Sequence, residues 1–246
     1  MKNYVDKIAF AILFAIVLVV LNALYGNPVS KAVVERGADK VIAEKYGDLD
    51  LSREKVFYNF KAPEYVVYLQ DKNSEDSAFE LCFDSFGRLQ RDTYEERIDN
   101  TVMRFDDAIR DHGRGLEKAY DFPYQITLSF WDKVDPRDYL TVDQPVDMKH
   151  LPFKLQAQIK GVGDEVAAKA AMAVLQRAQG IMDEEGLNVT AYTVDLTSEN
   201  RVNEKGEAQK PKDEFFAMDI PQTVVREGDV KALEELAQKQ MTEGKD

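Results

Sequence analysis

The strongest constraint in this sequence is an apolar stretch at residues 8–24, whose only polar side chain is Asn22. Twelve of its residues are Leu, Ile, Phe or Val. At roughly −0.3 to −0.6 kcal/mol each, they favour insertion into hydrocarbon by about 4–7 kcal/mol, more than one Asn near the end offsets. Read as a helix with Tyr4 and Tyr25 at its margins, the segment is about 33 Å long, enough to cross a bilayer core of about 30 Å. Tyrosine at both ends suits the headgroup belt. The rival reading is a cleaved signal peptide. Secretory apolar regions are shorter, about 7–15 residues. Leu24-Tyr25-Gly26 is a poor cleavage context, and the small-x-small run Ser30-Lys31-Ala32 lies further downstream. No cysteine directly follows the run, which excludes a lipoprotein anchor.

Residues 1–27 are therefore read as an N-terminal tail and transmembrane anchor, with the lipid bilayer as partner through residues 8–24. Orientation is less constrained. Lys2 and Lys7 precede the span, while Lys31, Arg36 and Lys40 follow it, so the positive-inside count is nearly even. A short tail before a single span stays on the cytoplasmic side, and long domains translocate largely regardless of charge. The expected arrangement is a single-pass protein with a cytoplasmic N-terminus and an extracytoplasmic body.

Hydrophobic periodicity organises that body. Asn27 caps a helix with Pro28 in its first turn, and Val34, Ala38, Val41 and Ile42 recur at helical spacing up to Tyr46. Four strand-like runs follow at residues 56–61, 65–70, 78–84 and 89–94, the last two joined by the hairpin signal Ser85-Phe86-Gly87-Arg88. Residues 28–95 thus form a helix plus a four-stranded antiparallel lobe. Residues 96–121 read as a connecting amphipathic helix. Its apolar stripe is Ile98, Val102, Phe105, Ile109, His112, Leu116 and Tyr120, interrupted by Gly113 and Gly115.

Residues 122–222 read as a β-β-α-β-β lobe. Tyr124, Ile126, Leu128 and Phe130 alternate with Gln125, Thr127 and Ser129; Leu155, Ala157 and Ile159 alternate with Gln156, Gln158 and Lys160. A helix over residues 164–185 and strands over 190–196 and 215–220 complete it. The charged run 197–213 is expected to be a long mobile hairpin loop. Residues 223–246 are a C-terminal helix, over 228–239, and a tail. The fold class is α+β: an N-terminal transmembrane helix, then two small lobes with antiparallel sheets.

The formal net charge of −13 falls on this body, since Lys2, Asp6 and Lys7 leave residues 1–27 at +1. An acidic body without a basic stripe repels phosphate backbones, so no nucleic acid is expected as partner, and the body is not expected to lie flat on anionic lipid.

The sequence yields no phosphate loop, Rossmann glycine set or nucleophile elbow. Cys82, the single cysteine, lies in a strand-like run and reads as a small buried apolar residue. Gly161-Val162-Gly163 before the long helix is followed by Asp164 and Glu165, which repel an anion, and reads as a tight turn. Of the two histidines, His112 lies on the apolar stripe and His150 in a loop, and nothing in the spacing pairs them. The run starting at Asp71 has oxygens where a calcium loop has them. Asp76 stands where glycine is needed and Cys82 where the bidentate Glu is needed, so it reads as a hairpin turn. Asp132, Asp135 and Asp138 read as solvated turn residues beside Pro136, with weak cation binding as the rival reading. Asn188-Val189-Thr190 is a glycosylation sequon only in a host with that machinery, and Trp131 reads as core or lobe-edge packing. No residue is assigned a catalytic, cofactor-binding or metal-ligating role, and no cofactor is expected.

Gly26-Asn27-Pro28 directly after the anchor, Glu44-Lys45-Tyr46, and Tyr58-Asn59-Phe60-Lys61 before a Tyr-rich strand resemble the YfjL-like family of membrane-anchored proteins of Gram-positive bacteria. The first lobe, closing on Asp84-Ser85-Phe86-Gly87-Arg88-Leu89, is also similar in style to PepSY-type domains, which are associated with extracytoplasmic binding and with regulation of peptidases; it lacks their strand before the helix. The resemblance implies topology and host class and brings no catalytic residues. The functional expectation is a membrane-tethered extracytoplasmic binding or regulatory module without catalytic activity, acting on another membrane or cell-envelope protein. Two alternatives stand beside it: a cell-envelope hydrolase with a dispersed carboxylate site, and a small-ligand or cation binder.

Overall fold

The computed structural model describes residues 2–131, 133–163, 165–198 and 213–243. The apolar run forms helix α1, Lys2–Tyr25. The side chains over residues 10–24 are all exposed, which is what a helix apolar on every side shows when its solvent is lipid. It is long and apolar enough to cross a membrane. Gly26 ends it with φ +73°, and its N–H donates to Asn22 O at 3.0 Å. Asn27 then caps α2, Pro28–Lys45, its side chain accepting from Val29 N.

The chain divides into two compact units, Met1–Thr101 with Thr141–Asp143, and Val102–Leu140 with Gln144–Asp246. In the first unit, strands β1 Leu51–Arg53, β2 Phe57–Asn59, β3 Glu64–Asp71, β4 Phe79–Phe83 and β5 Leu89–Asp92 form one antiparallel sheet. Its order is β1-β3-β4-β5, with β2 also paired to β3. The four expected strands all form. β1 is a fifth, too short at three residues to show any periodicity. Alternation puts Tyr65, Val67, Leu69, Phe79, Leu81 and Phe83 on one face, where they bury Val34 and Ala38 of α2.

A 3-10 turn at Tyr94–Arg97 leads into α3, Ile98–Ala119, and the boundary between the units falls within α3. The second unit continues with β6 Gln125–Phe130, β7 Leu155–Val162, α4 Ala168–Glu184, β8 Val189–Thr197, β9 Glu214–Pro221, α5 Gln222–Glu227 and α6 Val230–Glu243. Its sheet order is β6-β7-β8-β9. The outer pairs are antiparallel, as expected, but β7 and β8 run parallel. The intervening α4 carries the chain back to the starting end, a crossover that only a parallel pair needs. Leu128, Ala157, Tyr192 and Ile220 form one row across this sheet. The row lies beneath the helices: Tyr192 Oη donates to Gln179 Oε1 of α4 at 3.0 Å, and Gly113 of α3 lies against Leu128. The opposite face is polar, with Thr127, Gln158 and Thr193 in one row and Gln125, Lys160 and Asp195 in another.

Two local expectations are corrected. The long helix begins at Ala168, and Asp164 lies outside the described residues. Gly161 makes no tight turn but sits inside β7 opposite Leu196. A side chain there would meet the Tyr124 ring at 2.8 Å. The expected C-terminal helix forms as α6; the short α5 precedes it, separated from it by Gly228 in the left-handed region with φ +67°. The expected loop at 197–213 lies outside the described residues over 199–212.

The two glycines of the α3 stripe have different surroundings. A Cβ at Gly113 would stand 3.1 Å from Ile126 O and from Leu128 Cγ, whereas nothing lies within 4 Å of one at Gly115. Gly113→Val is expected to lower stability by about 1–3 kcal/mol through overpacking. Gly115→Ala is expected to raise it by about 0.5–1 kcal/mol through helix propensity. Urea midpoints of the two variants against wild type measure both.

Candidate functional site

Sequence motifs that are far apart in the chain meet at the C-terminal end of α1. Gly26 is buried against Tyr58 of β2 and Tyr65 of β3; a Cβ on it would approach Tyr58 Cβ to 2.7 Å. Asn27 N donates to Tyr65 Oη at 2.9 Å, and the two tyrosine rings pack with centroids 5.0 Å apart. The end of α1 is thereby held against the sheet.

A second junction fixes the other end of α2. Tyr46 Oη donates to Asp92 Oδ2 at 2.7 Å and Lys45 Nζ to the same oxygen at 2.9 Å. Tyr46 also packs against Phe79 and Tyr94. Partial burial pushes the Asp92 carboxyl up, but hydrogen bonds from Tyr46, Lys45 and Tyr94 N outweigh it and hold the group below its ordinary range. The same burial and the Asp92 charge push the Tyr46 phenol well up.

The face of the first sheet opposite α2 is the candidate site. No described helix of that unit packs on it as α2 packs on the other. Tyr68 and Phe57 stack there, centroids 5.3 Å apart and nearly parallel at 9°. Beside them Arg91 reaches Glu64 at 3.2 Å and Glu80 at 3.7 Å. A shallow depression of about 360 Å³ lies between Tyr68, Glu80 and Arg91 on one side and Thr93, Glu96 and Asn100 on the other. A half-exposed ring stack next to a guanidinium in a mainly acidic rim can hold a flat or basic group.

Cys82 lies under this face, fully buried, with Arg91 Nη2 donating to Sγ at 3.1 Å. Burial pushes its thiol up to about 11 against the opposing pull of Arg91, so it is a packing residue.

The structure does not bring the two histidines together. His112 in α3 stands 4.0 Å from Glu185, which also accepts from Tyr120 Oη at 2.9 Å. That hydrogen bond raises the Tyr120 phenol to about 12. His150 pairs with Asp147 at 2.8 Å in an exposed loop, and that bond holds the Asp147 carboxyl below its ordinary range.

Asp71 accepts from Asn73 N in the β3–β4 hairpin turn. Asp76 is buried, its carboxylate accepting from Thr101 Oγ1 at 2.7 Å. Sequence reasoning missed this contact, since nothing local links residues 76 and 101. Asp135 caps the 3-10 turn Pro136–Asp138, and Asp132 lies outside the described residues. Among the described residues no group of three or more His, Cys, Asp or Glu is placed to hold a metal ion. Asn188 is exposed just before β8. Trp131 directly follows β6, with Lys133 and Lys154 over its ring.

The architecture is thus an apolar N-terminal helix fastened to a small α+β sheet domain. Residues 1–93 match the family model of the YfjL-like, N-terminal domain, so this part of the chain is similar to a YfjL-like N-terminal domain. The match covers α1, α2 and the whole first sheet, ending just after β5. No curated protein and no solved structure matches the chain.

A depressed carboxyl contributes stability that is complete above its unfolded value, near 4, and is lost as pH falls through the folded value. Asp92→Asn is therefore expected to destabilise by about 1–2 kcal/mol at pH 7, with the gap to wild type closing towards pH 3; urea midpoints across that range check it. At pH 8, native Cys82 is expected to react with iodoacetamide at least about 100-fold more slowly than in urea-unfolded chain, because little thiolate forms and the sulfur is covered. Mass spectrometry of the alkylated peptide gives both rates.

Proposed function

We propose that this protein is a membrane-tethered binding or regulatory module without catalytic activity, its body on the extracytoplasmic side, acting on a neighbouring membrane or cell-envelope protein. The observation that carries the reading is the Phe57–Tyr68 stack on the sheet face of the first unit opposite α2. That face presents the stack and the Glu64–Arg91–Glu80 group on a rigid antiparallel scaffold. Aromatic and arginine side chains are the types that dominate protein recognition. A tether raises the effective concentration of such a face against partners in the same membrane, so a weak contact suffices. The non-catalytic part is supported by the candidates one by one: Cys82 is covered and pushed up, and each histidine has its own carboxylate neighbour. The extracytoplasmic placement is supported by the long body after α1, since long domains translocate largely regardless of charge. No arrangement among the described residues favours the hydrolase or the small-ligand reading over this one.

The test is photo-crosslinking in native membranes with benzoylphenylalanine at Tyr68, and at Asn73 in the β3–β4 turn as control. One dominant neighbour captured from position 68 but not from 73 is the expected result. No neighbour from position 68, together with hydrolysis of a cell-wall substrate by the purified protein, would sink the reading.

A further inference from the structure

The first unit has an end that differs from the rest of the acidic body. β3 is antiparallel to both β2 and β4, and Tyr65 pairs with both Tyr58 and Phe83. The β2–β3 turn and the β4–β5 turn therefore lie at the same end of the sheet. The start of α2 lies there too: Asn27 bonds to Tyr65, and Val33 Cγ1 is 3.1 Å from the Cβ position of Gly87. This is the end at which α1 leaves the unit.

Both turns carry an exposed phenylalanine followed closely by a basic residue. Phe60 is 57% exposed and Phe86 72%. Lys61 is exposed, as is Arg88, whose guanidinium lies 5.6 Å from the centre of the Phe86 ring. Val29, in the first turn of α2, is 71% exposed beside them in sequence to Lys31. The acidic groups at this end are engaged. Asp84 accepts from Phe86 N and Arg88 N within its own turn, and Glu64 pairs with Arg91. Exposed aromatic tips flanked by cations, in a chain of net charge −13, match the chemistry of a phospholipid interface: apolar rings for the acyl boundary, ammonium and guanidinium groups for phosphate.

We infer that the β2–β3 and β4–β5 turns, through Phe60, Lys61, Phe86 and Arg88, form a second membrane contact that seats the first unit on the headgroup layer of the bilayer that α1 spans. The inference rests on α1 spanning that bilayer and adds what the anchor alone does not supply. A single helix leaves its domain free to swivel. Two tips at the root of the helix hold the sheet upright and fix which way the face opposite α2 points. The contact is local, so it is compatible with an acidic body that does not lie flat on anionic lipid.

The test uses the full chain in phosphatidylcholine–phosphatidylglycerol vesicles with Trp131→Phe as background. Single tryptophans are placed by Phe60→Trp, Phe86→Trp, Phe14→Trp within α1, and Asn73→Trp at the opposite end of the sheet. Quenching by lipids with a doxyl group near the headgroup or deep in the acyl chain is then measured. Positions 60 and 86 are expected to be quenched by the shallow label, position 14 by the deep label, and position 73 by neither. Adding Lys61→Glu and Arg88→Glu is expected to weaken the lipid contact of the tips by up to about fivefold per charge. Quenching at 14 without quenching at 60 or 86 would overturn the second contact and leave the anchor standing. Absence of quenching at 14 would remove the anchor and the contact together. A blue shift at 60 or 86 without lipid quenching would mean that protein covers the tips, which also overturns the inference.

Discussion

Among the described residues, the apolar side chains of α1 over 10–24 are all exposed, and everything else about this molecule has to accommodate that. Exposed on all sides, these apolar side chains suit hydrocarbon better than water. The rest of the chain is charged, folded and mixed in structure. The point where the two meet therefore carries a mechanical duty as well as a chemical one. The sequence meets it with a glycine that lets the chain turn, an asparagine that starts the next helix, and two tyrosines that close over both.

That junction couples the anchor to the first sheet more tightly than a flexible linker would. Gly26 sits under Tyr58 with no room for a side chain, and the main chain of Asn27 is bonded to Tyr65. At its other end α2 is held through Tyr46, Lys45 and Asp92. With both ends fixed, α2 packs Val34 and Ala38 onto one face of the sheet. The ring stack and the ion group lie on the opposite face. The motif residues that carry the family likeness are mostly these joints, which explains why the likeness speaks to topology and not to chemistry.

The second unit repeats the plan with different parts. Helices α3 and α4 cover the apolar face of its sheet, and threonine, glutamine, lysine and aspartate occupy the opposite face. Its central strands are parallel because a helix crosses between them, where the first unit uses only hairpins and short turns. Tyr192 bonds to Gln179 and satisfies a phenol that burial would otherwise leave unpaired.

The sequence by itself determined the apolar helix, the cap at Asn27, the stripes of α3 and α4, and the alternation of most strands, because each depends on a period or a local cap that residues within a few positions define. The tertiary structure alone decided the parallel pairing of β7 and β8, the short strand β1, the break between α5 and α6, and the role of Gly161 beneath Tyr124. It also decided what the candidate site is. Phe57 and Tyr68 are not neighbours in sequence, nor are Cys82 and Arg91, nor Asp76 and Thr101. No local pattern encodes which face a helix will pack on, since that depends on where the chain returns after each turn. Strand pairing and helix docking act between residues far apart in the chain, and they brought these residues together.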